Sequence, residues 1–169
     1  MSLDELTEHL IVACSNQYTS LVRMMIECAQ LAWSQLPPVG VARIKVARAY
    51  WVEQTVPASK LAHARVDCWI YLDERSASTN TVVPEYCAVR AVICVLYAEP
   101  PSDDLGDIVC FFNAMLQGAL NLGNDEAFTA TVGSVVDSFS ANPSVNGGLE
   151  ERKRDEQVRP EVIWVIQSV

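Results

Sequence analysis

A chain of 169 residues, half of them hydrophobic and a fifth charged, has the composition of one globular domain with a sizeable core. That composition excludes the disordered, collagenous and coiled-coil classes. Its formal charge of -9 argues against general binding to nucleic-acid phosphates or anionic membrane surfaces.

Between residues 3 and 33, Leu3, Leu6, Leu10, Cys14, Tyr18, Leu21, Met25, Cys28 and Ala32 recur at threes and fours. This spacing predicts one long amphipathic helix that stops at Leu36-Pro37-Pro38, where the rings remove donors and push the preceding residue out of the helical region. Residues 41 to 56 alternate like a strand at Ala42, Ile44 and Val46, but the alanines and the length favour a helix. After Pro57, Ser59 is expected to cap a helix from Lys60 with Leu61, Ala64, Cys68 and Leu72 inward, followed by a loop over 76 to 81.

Pro84 suits a first helical turn, and Glu85 complements the positive end of the helix dipole. From Glu85 to Glu99 the sole charge is Arg90, so this segment is predicted to be the central helix, closed by Pro100-Pro101. Ser102, Asp103 and Asp104 then open a helix with Leu105, Ile108, Phe112, Met115 and Ala119 inward, ending near Gly123. Asn124 opens the next, with Phe128, Val132, Val135 and Phe139 on its apolar side.

The expected fold is therefore all-α, a single-domain bundle of about six helices over residues 1–141. Residues 142–169 are expected to be a linker, NPSVNGG and a mixed-charge run, and a short apolar segment, PEVIWVIQSV, docked on the same domain. That segment reads as helix, with a strand as the alternative. No apolar run reaches the ~18 residues that span a bilayer, and MSLDELTEHL is acidic where a secretory signal is basic. A cytoplasmic protein is expected, with no membrane and no nucleic acid among its partners, as monomer or homodimer.

Cys14, Cys28, Cys68, Cys87, Cys94 and Cys110 all lie in helix-patterned segments and read as reduced core residues. Cys87 and Cys94, seven apart, are separated by about 10.5 Å along a helix, beyond the ~7 Å reach of a disulfide. No CxxC, HxxxH or HExxH spacing occurs, so neither a metal nor a cofactor is expected. Nucleotide-binding and hydrolase signatures are also missing.

Three constellations invite a functional reading. Arg90 needs a carboxylate, carbonyls or an exit to water: it either fixes helix register, with Asp67 or Asp73 as partner, or binds an anion in a cleft. His63 and Asp67 share a helix face, either as an oriented base or as a surface ion pair, and no nucleophile accompanies them. Glu99, Asp103, Asp104 and Asp107, with Asp125 and Glu126, are candidates for one acidic patch if their two helices pack as an antiparallel hairpin, although a hairpin of roughly 25 Å sets the start of one helix beside the end of its partner. The patch is then capping chemistry, a surface for a basic partner or, least, a cation site.

The succession KLAHARVDCWIYLDE, EYCAVRAVICVLYAE and DDLGDIVCFFNAML, spanning residues 60 to 116, resembles small all-helical immunity proteins of bacterial polymorphic-toxin systems. The resemblance implies a cytoplasmic protein that blocks one cognate toxin by occlusion, without chemistry of its own, and it transfers no site residue. Composition and charge lead independently to a compact, strongly acidic helical domain without a catalytic constellation; taken with the resemblance they give the expectation of a non-catalytic protein-binding domain whose protein partner is a toxin, basic if it attacks nucleic acid. The competing expectation is a helical enzyme or small-ligand binder with an inter-helix pocket around Arg90 and His63. A third is an obligate oligomer in which 160–169 docks on a neighbour.

Overall fold

The computed structural model describes residues 1–15 and 17–141, and these contain seven α-helices, one 3-10 helix and no strand. The expected all-α bundle is present. The linker and the apolar segment expected over 142–169 lie outside the described residues.

The predicted helix over 3–33 is instead three elements. Helix α1, Leu3–Ala13, opens with a reciprocal cap: Ser2 Oγ accepts from the Glu5 amide at 3.1 Å and Glu5 Oε2 from the Ser2 amide at 2.7 Å. It ends where Ser15 takes the left-handed conformation at φ 53. Ser favours turns because its hydroxyl competes for backbone groups. The apolar periodicity runs through this break unchanged because both helices face the same core. Helix α2, Tyr18–Ala29, follows, and a 3-10 turn, Gln30–Gln35, leads to the two prolines.

Helix α3, Pro38–Trp51, settles the strand-or-helix ambiguity in favour of helix. Helix α4, Ala58–Asp73, begins two residues before the predicted start, so Ser59 lies inside it and no side chain caps it. Its buried residues are the predicted four, Leu61, Ala64, Cys68 and Leu72.

Helix α5, Pro84–Cys94, is central as expected: every residue from Cys87 to Leu96 is buried. It stops earlier than the Pro100-Pro101 boundary, because side chains from other helices take the carbonyls at its end. Trp51 Nε1 donates to the Val95 carbonyl at 3.0 Å and Tyr18 Oη to the Tyr97 carbonyl at 3.0 Å, while Arg65 Nη1 lies 3.5 Å from that of Leu96. These bonds satisfy helix-end acceptors that would otherwise be orphaned in the interior.

Helix α6, Leu105–Leu120, is the most extensive neighbour of α5. Gly118 permits their close approach, since a Cβ there would sit 2.8 Å from Cys87 Sγ. Asn121, at φ 48, ends α6 in the left-handed cap where Gly123 was expected to mark the stop. Helix α7, Asp125–Ser140, packs on α1 and α2 and is tied to α1 by His9 Nε2 and Asp137 Oδ1 at 3.0 Å.

Five cysteines are buried and free, but Cys110 is exposed on α6, contrary to the expectation that all six fill the core. It falls three residues before the buried Asn113 and one before the exposed Phe111, on the outer side of the helix.

Candidate partner-binding groove

The chain folds back at Pro100-Pro101, and between α4, α5 and the first turns of α6 it leaves an open groove of about 280 Å³. Ile93, Cys94 and Ile108, all buried, form its floor. Trp69 of α4, Tyr97 after α5 and Phe111 of α6 form aromatic walls, with Phe111 49% exposed. Pro101, Ser102 and Asp107 complete the edge, where the Ser102 hydroxyl donates to Asp107 Oδ2 at 3.3 Å. Ile70 and Val66, exposed on the outer side of α4 beside Trp69 in sequence, are 48% and 53% accessible.

A larger hollow of about 360 Å³ lies between Ala58, Leu61, Ala62 and the Leu96–Pro100 stretch. Small residues wall much of it, and the Arg65 guanidinium lies 4.2 Å over the Tyr97 ring. The smaller groove concentrates more aromatic surface, the kind that anchors a macromolecular partner.

The six predicted acids separate into two groups. Asp103, Asp104 and Asp107 are exposed at the start of α6, and Glu99 is exposed four residues before Asp103. Asp104 is also the cap, its Oδ1 accepting from the Gly106 amide at 2.7 Å. Asp125 and Glu126 belong to the other end of α6: Gln117 Nε2 donates to Asp125 Oδ1 at 2.6 Å, while Asn124 caps α7 through the Ala127 amide. Helix α6 is about 24 Å long at 1.5 Å per residue. Because the two groups stand at opposite ends of α6, its length alone separates them, and the 111° turn into α7 does not bring them back together. Of the six, Asp107 lines the groove and Glu99 lines the larger hollow, while Asp125 and Glu126 lie at the far end of α6.

Arg90 and His63 share no pocket. Arg90 is 6% exposed, and its Nη2 donates to the carbonyls of Ala77, at 3.0 Å, and Ser78. Neither proposed carboxylate reaches it: Asp67 pairs with Arg43 at 2.8 Å and Asp73 accepts from the Ser78 hydroxyl. Its Nε is buried without a hydrogen-bond partner. The guanidinium lies 5.6 Å from the Trp69 ring, so Arg90 backs a wall of the groove from inside. His63 is exposed, with Nδ1 2.7 Å from the Ser59 carbonyl; that nitrogen therefore carries a proton and donates. With Asp67 engaged by Arg43, the His63–Asp67 dyad is not assembled.

Burial pushes the Cys94 thiol up to about 12, and its Sγ donates to the Arg90 carbonyl at 3.3 Å. At the groove floor it is an apolar filler and not a nucleophile. Among the described residues no group of three or more His, Cys, Asp and Glu side chains is placed to hold a metal ion.

Sequence reasoning missed the groove because it assigned α4 and α6 one apolar face each. The legible signal was surplus: Val66, Trp69 and Ile70 fall outside the Leu61, Ala64, Cys68, Leu72 stripe, and Phe111 falls outside the stripe containing Phe112. Apolar residues left over on a helix already supplied with a core face mark a second contact surface. No protein-family model, curated protein or solved structure matches this chain.

Proposed function

We propose that the chain is a non-catalytic protein-binding domain that grips a basic partner through the Trp69–Tyr97–Phe111 groove and the acids beside it. The specific form we propose is an immunity-type protein acting in the cytoplasm, which neutralises a cognate toxin by occlusion.

The observation that carries this reading is an open aromatic groove edged by Asp107 and lined mostly from a stretch of the sequence that exposes no cation, with Trp69 and the Arg65 guanidinium stacked on Tyr97 contributed by α4. Residues 76 to 140 hold eight acids and one Arg, and that one, Arg90, is buried. Aromatic anchors in such a groove supply most of an interface's energy, while the surrounding charges raise the association rate and reject partners of like charge. A basic toxin surface that presents an apolar side chain meets both requirements. Occlusion needs no reactive group, consistent with a buried Cys94 and an unassembled His63–Asp67 pair.

The test is pull-down by the full chain followed by mass spectrometry, with the product of the neighbouring gene supplied. Phe111→Asp should weaken capture of the bound protein about 30-fold, the effect of an anchor worth roughly 2 kcal/mol. Asp103→Lys with Asp107→Lys, which leaves the Asp104 cap in place, should slow association and flatten its salt dependence. A partner held equally by wild type and both variants sinks the assignment of this surface.

A further inference from the structure

We propose that the outward face of α4 pairs with the same face of a second copy of this chain, the two helices running antiparallel about a two-fold axis at Val66. The inference goes beyond the partner reading and uses a surface beside the groove, not the groove itself.

The face is apolar and unfilled. Helix α4 packs on α3 and α5, with Leu61, Ala64, Cys68 and Leu72 buried. Ala58, Ala62, Val66 and Ile70, every fourth residue, stand exposed along another side, and residues four apart share a helix face. Val66 and Ile70 are each about half exposed. An apolar stripe on a helix already supplied with a core face marks a contact surface.

Two features select a second, antiparallel copy as the occupant. The first is size. The stripe is small toward its amino end, at Ala58 and Ala62, and large toward its carboxyl end, at Ile70. A two-fold axis makes residue i face j while j faces i, so an axis at Val66 sets Ala62 of each copy against Ile70 of the other. Small side chains opposite large ones let the two faces interdigitate.

The second is charge. Residues 58–66 hold Lys60 and Arg65 and no acid, whereas Asp73 and Glu74 stand exposed at the carboxyl end. Asp67, between them, is taken by Arg43 at 2.8 Å, and Arg75 lies 3.7 Å over the Tyr71 ring. This order is the reverse of what the helix dipole favours. Helix α4 also has no side-chain cap, no acid in its first turn and no base in its last. An antiparallel copy brings Asp73 and Glu74 beside the cationic amino end at both ends of the pair, whereas a partner of one charge would satisfy only one end. Lys60 and Glu74 lie on the same flank of the stripe, with an axial mismatch across the axis of about 3 Å that two long side chains span. Trp69 stands between the stripe and the groove, so the variants below avoid it.

Sedimentation equilibrium of the full chain tests the pairing without any partner protein. The mass should rise from one copy toward two with concentration. Val66→Glu, which sets like charges face to face on the axis, should weaken association at least tenfold, and Ile70→Ser should weaken it as well. Both positions lie outside the core, so melting temperatures should stay near wild type. Lys60→Glu and Glu74→Lys should each weaken association about fivefold, the effect of a rim charge pair lost at both ends, and the chain carrying both should recover. The mass of one copy at every concentration up to the solubility limit overturns the proposal, as does a dimer indifferent to Val66→Glu. A dimer that does not recover in the double reversal overturns the antiparallel register. Phe111→Asp should leave pairing unchanged while it weakens partner capture, so the two readings fail separately; a dimer broken by Phe111→Asp and not by Val66→Glu moves the contact to the groove and overturns this one.

Discussion

Helices α2 and α5 are both interior, and each carries one arginine. Leu21 to Ile26 is buried without interruption in α2, as Cys87 to Leu96 is in and just after α5, and Arg23 and Arg90 are 3% and 6% exposed. Arg23 Nε donates at 2.8 Å to the carbonyl of Trp51, the last residue of α3, and Arg90 reaches the carbonyls of the loop after α4. Each guanidinium satisfies chain-end or loop acceptors that lie too deep for water. The difference lies in what is held. Through the Trp51 carbonyl and the Trp51 indole bond to Val95, Arg23 connects α2, the buried end of α3 and the end of α5. Arg90 fixes a loop and backs Trp69, a wall of the groove. One arginine supports the core and the other a surface.

The largest expected effect is at the residue that joins the two helices. Trp51→Ala removes a nearly buried indole, its edge contact with Tyr18 at 5.8 Å and the donor to Val95. Truncation of a buried aromatic costs about 3–5 kcal/mol, so urea unfolding should show that loss or no folded protein. Trp51→Phe should recover most of it, since only the donor is then missing. A fully stable Trp51→Ala would break the link drawn between α2 and α5.

Next come the arginines themselves. Arg23→Met and Arg90→Met each leave buried carbonyls without a donor, at about 1–3 kcal/mol per orphaned group, so both should lower the melting temperature. They should differ in a second readout: Arg90→Met should raise quenching of Trp69 fluorescence by acrylamide in chains whose other tryptophans are replaced, and Arg23→Met should not. Equal quenching in both would erase the distinction between a core arginine and one that supports the groove.

How legible these two helices were differs for physical reasons. In α5 a single charge in an apolar run, bounded by prolines, announced a central helix, and the buried Cys87, Cys94 and Arg90 are where that reading put them. In α2 the signal was masked. The interval from Leu10 through Cys14 and Tyr18 to Leu21 keeps helical spacing across a break that depends on one left-handed Ser15, so periodicity carried the reading through a turn. Tertiary bonding was equally invisible: carbonyls at the end of α5 are taken by Trp51 and Tyr18 from distant sequence, which shortens that helix. For the groove, the acids Asp103, Asp104 and Asp107 were readable as a cluster at a helix start. Their separation from Asp125 and Glu126 follows from the length of α6, which the apolar spacing from Leu105 to Ala119 already encodes.

The thiols sharpen the comparison at smaller amplitude. Burial pushes Cys28 of α2 and Cys94 of α5 from 9.0 up to about 12, and does the same to Cys14 and Cys68. A folded pKa raised above the unfolded one contributes stability below the unfolded value and loses it as pH rises through the folded value. Stability should therefore hold below pH 9 and fall as pH climbs toward 12, as read by denaturant midpoints. At neutral pH an alkylating reagent should label Cys110 alone in the native chain, followed by mass spectrometry. Rapid labelling of Cys94 but not Cys28 would mean that the groove floor opens where the interior of α2 does not.

The smallest effect on stability is expected where the effect on binding should be greatest. Phe111 stands on α6 one residue before Phe112, yet Phe112 is wholly buried while Phe111 is half exposed. If the groove is a surface held up by Arg90 and not a part of the core, Phe111→Ser should shift stability by no more than about 0.5 kcal/mol, the range for substitutions away from buried features. Phe112→Ser should cost several times as much, since it leaves a cavity and buries a hydroxyl. Parallel urea titrations of the two variants give the comparison directly. Equal destabilisation would place Phe111 in the interior and leave the groove without its anchor; a neutral Phe111→Ser leaves an aromatic ring whose partial exposure the fold itself does not require.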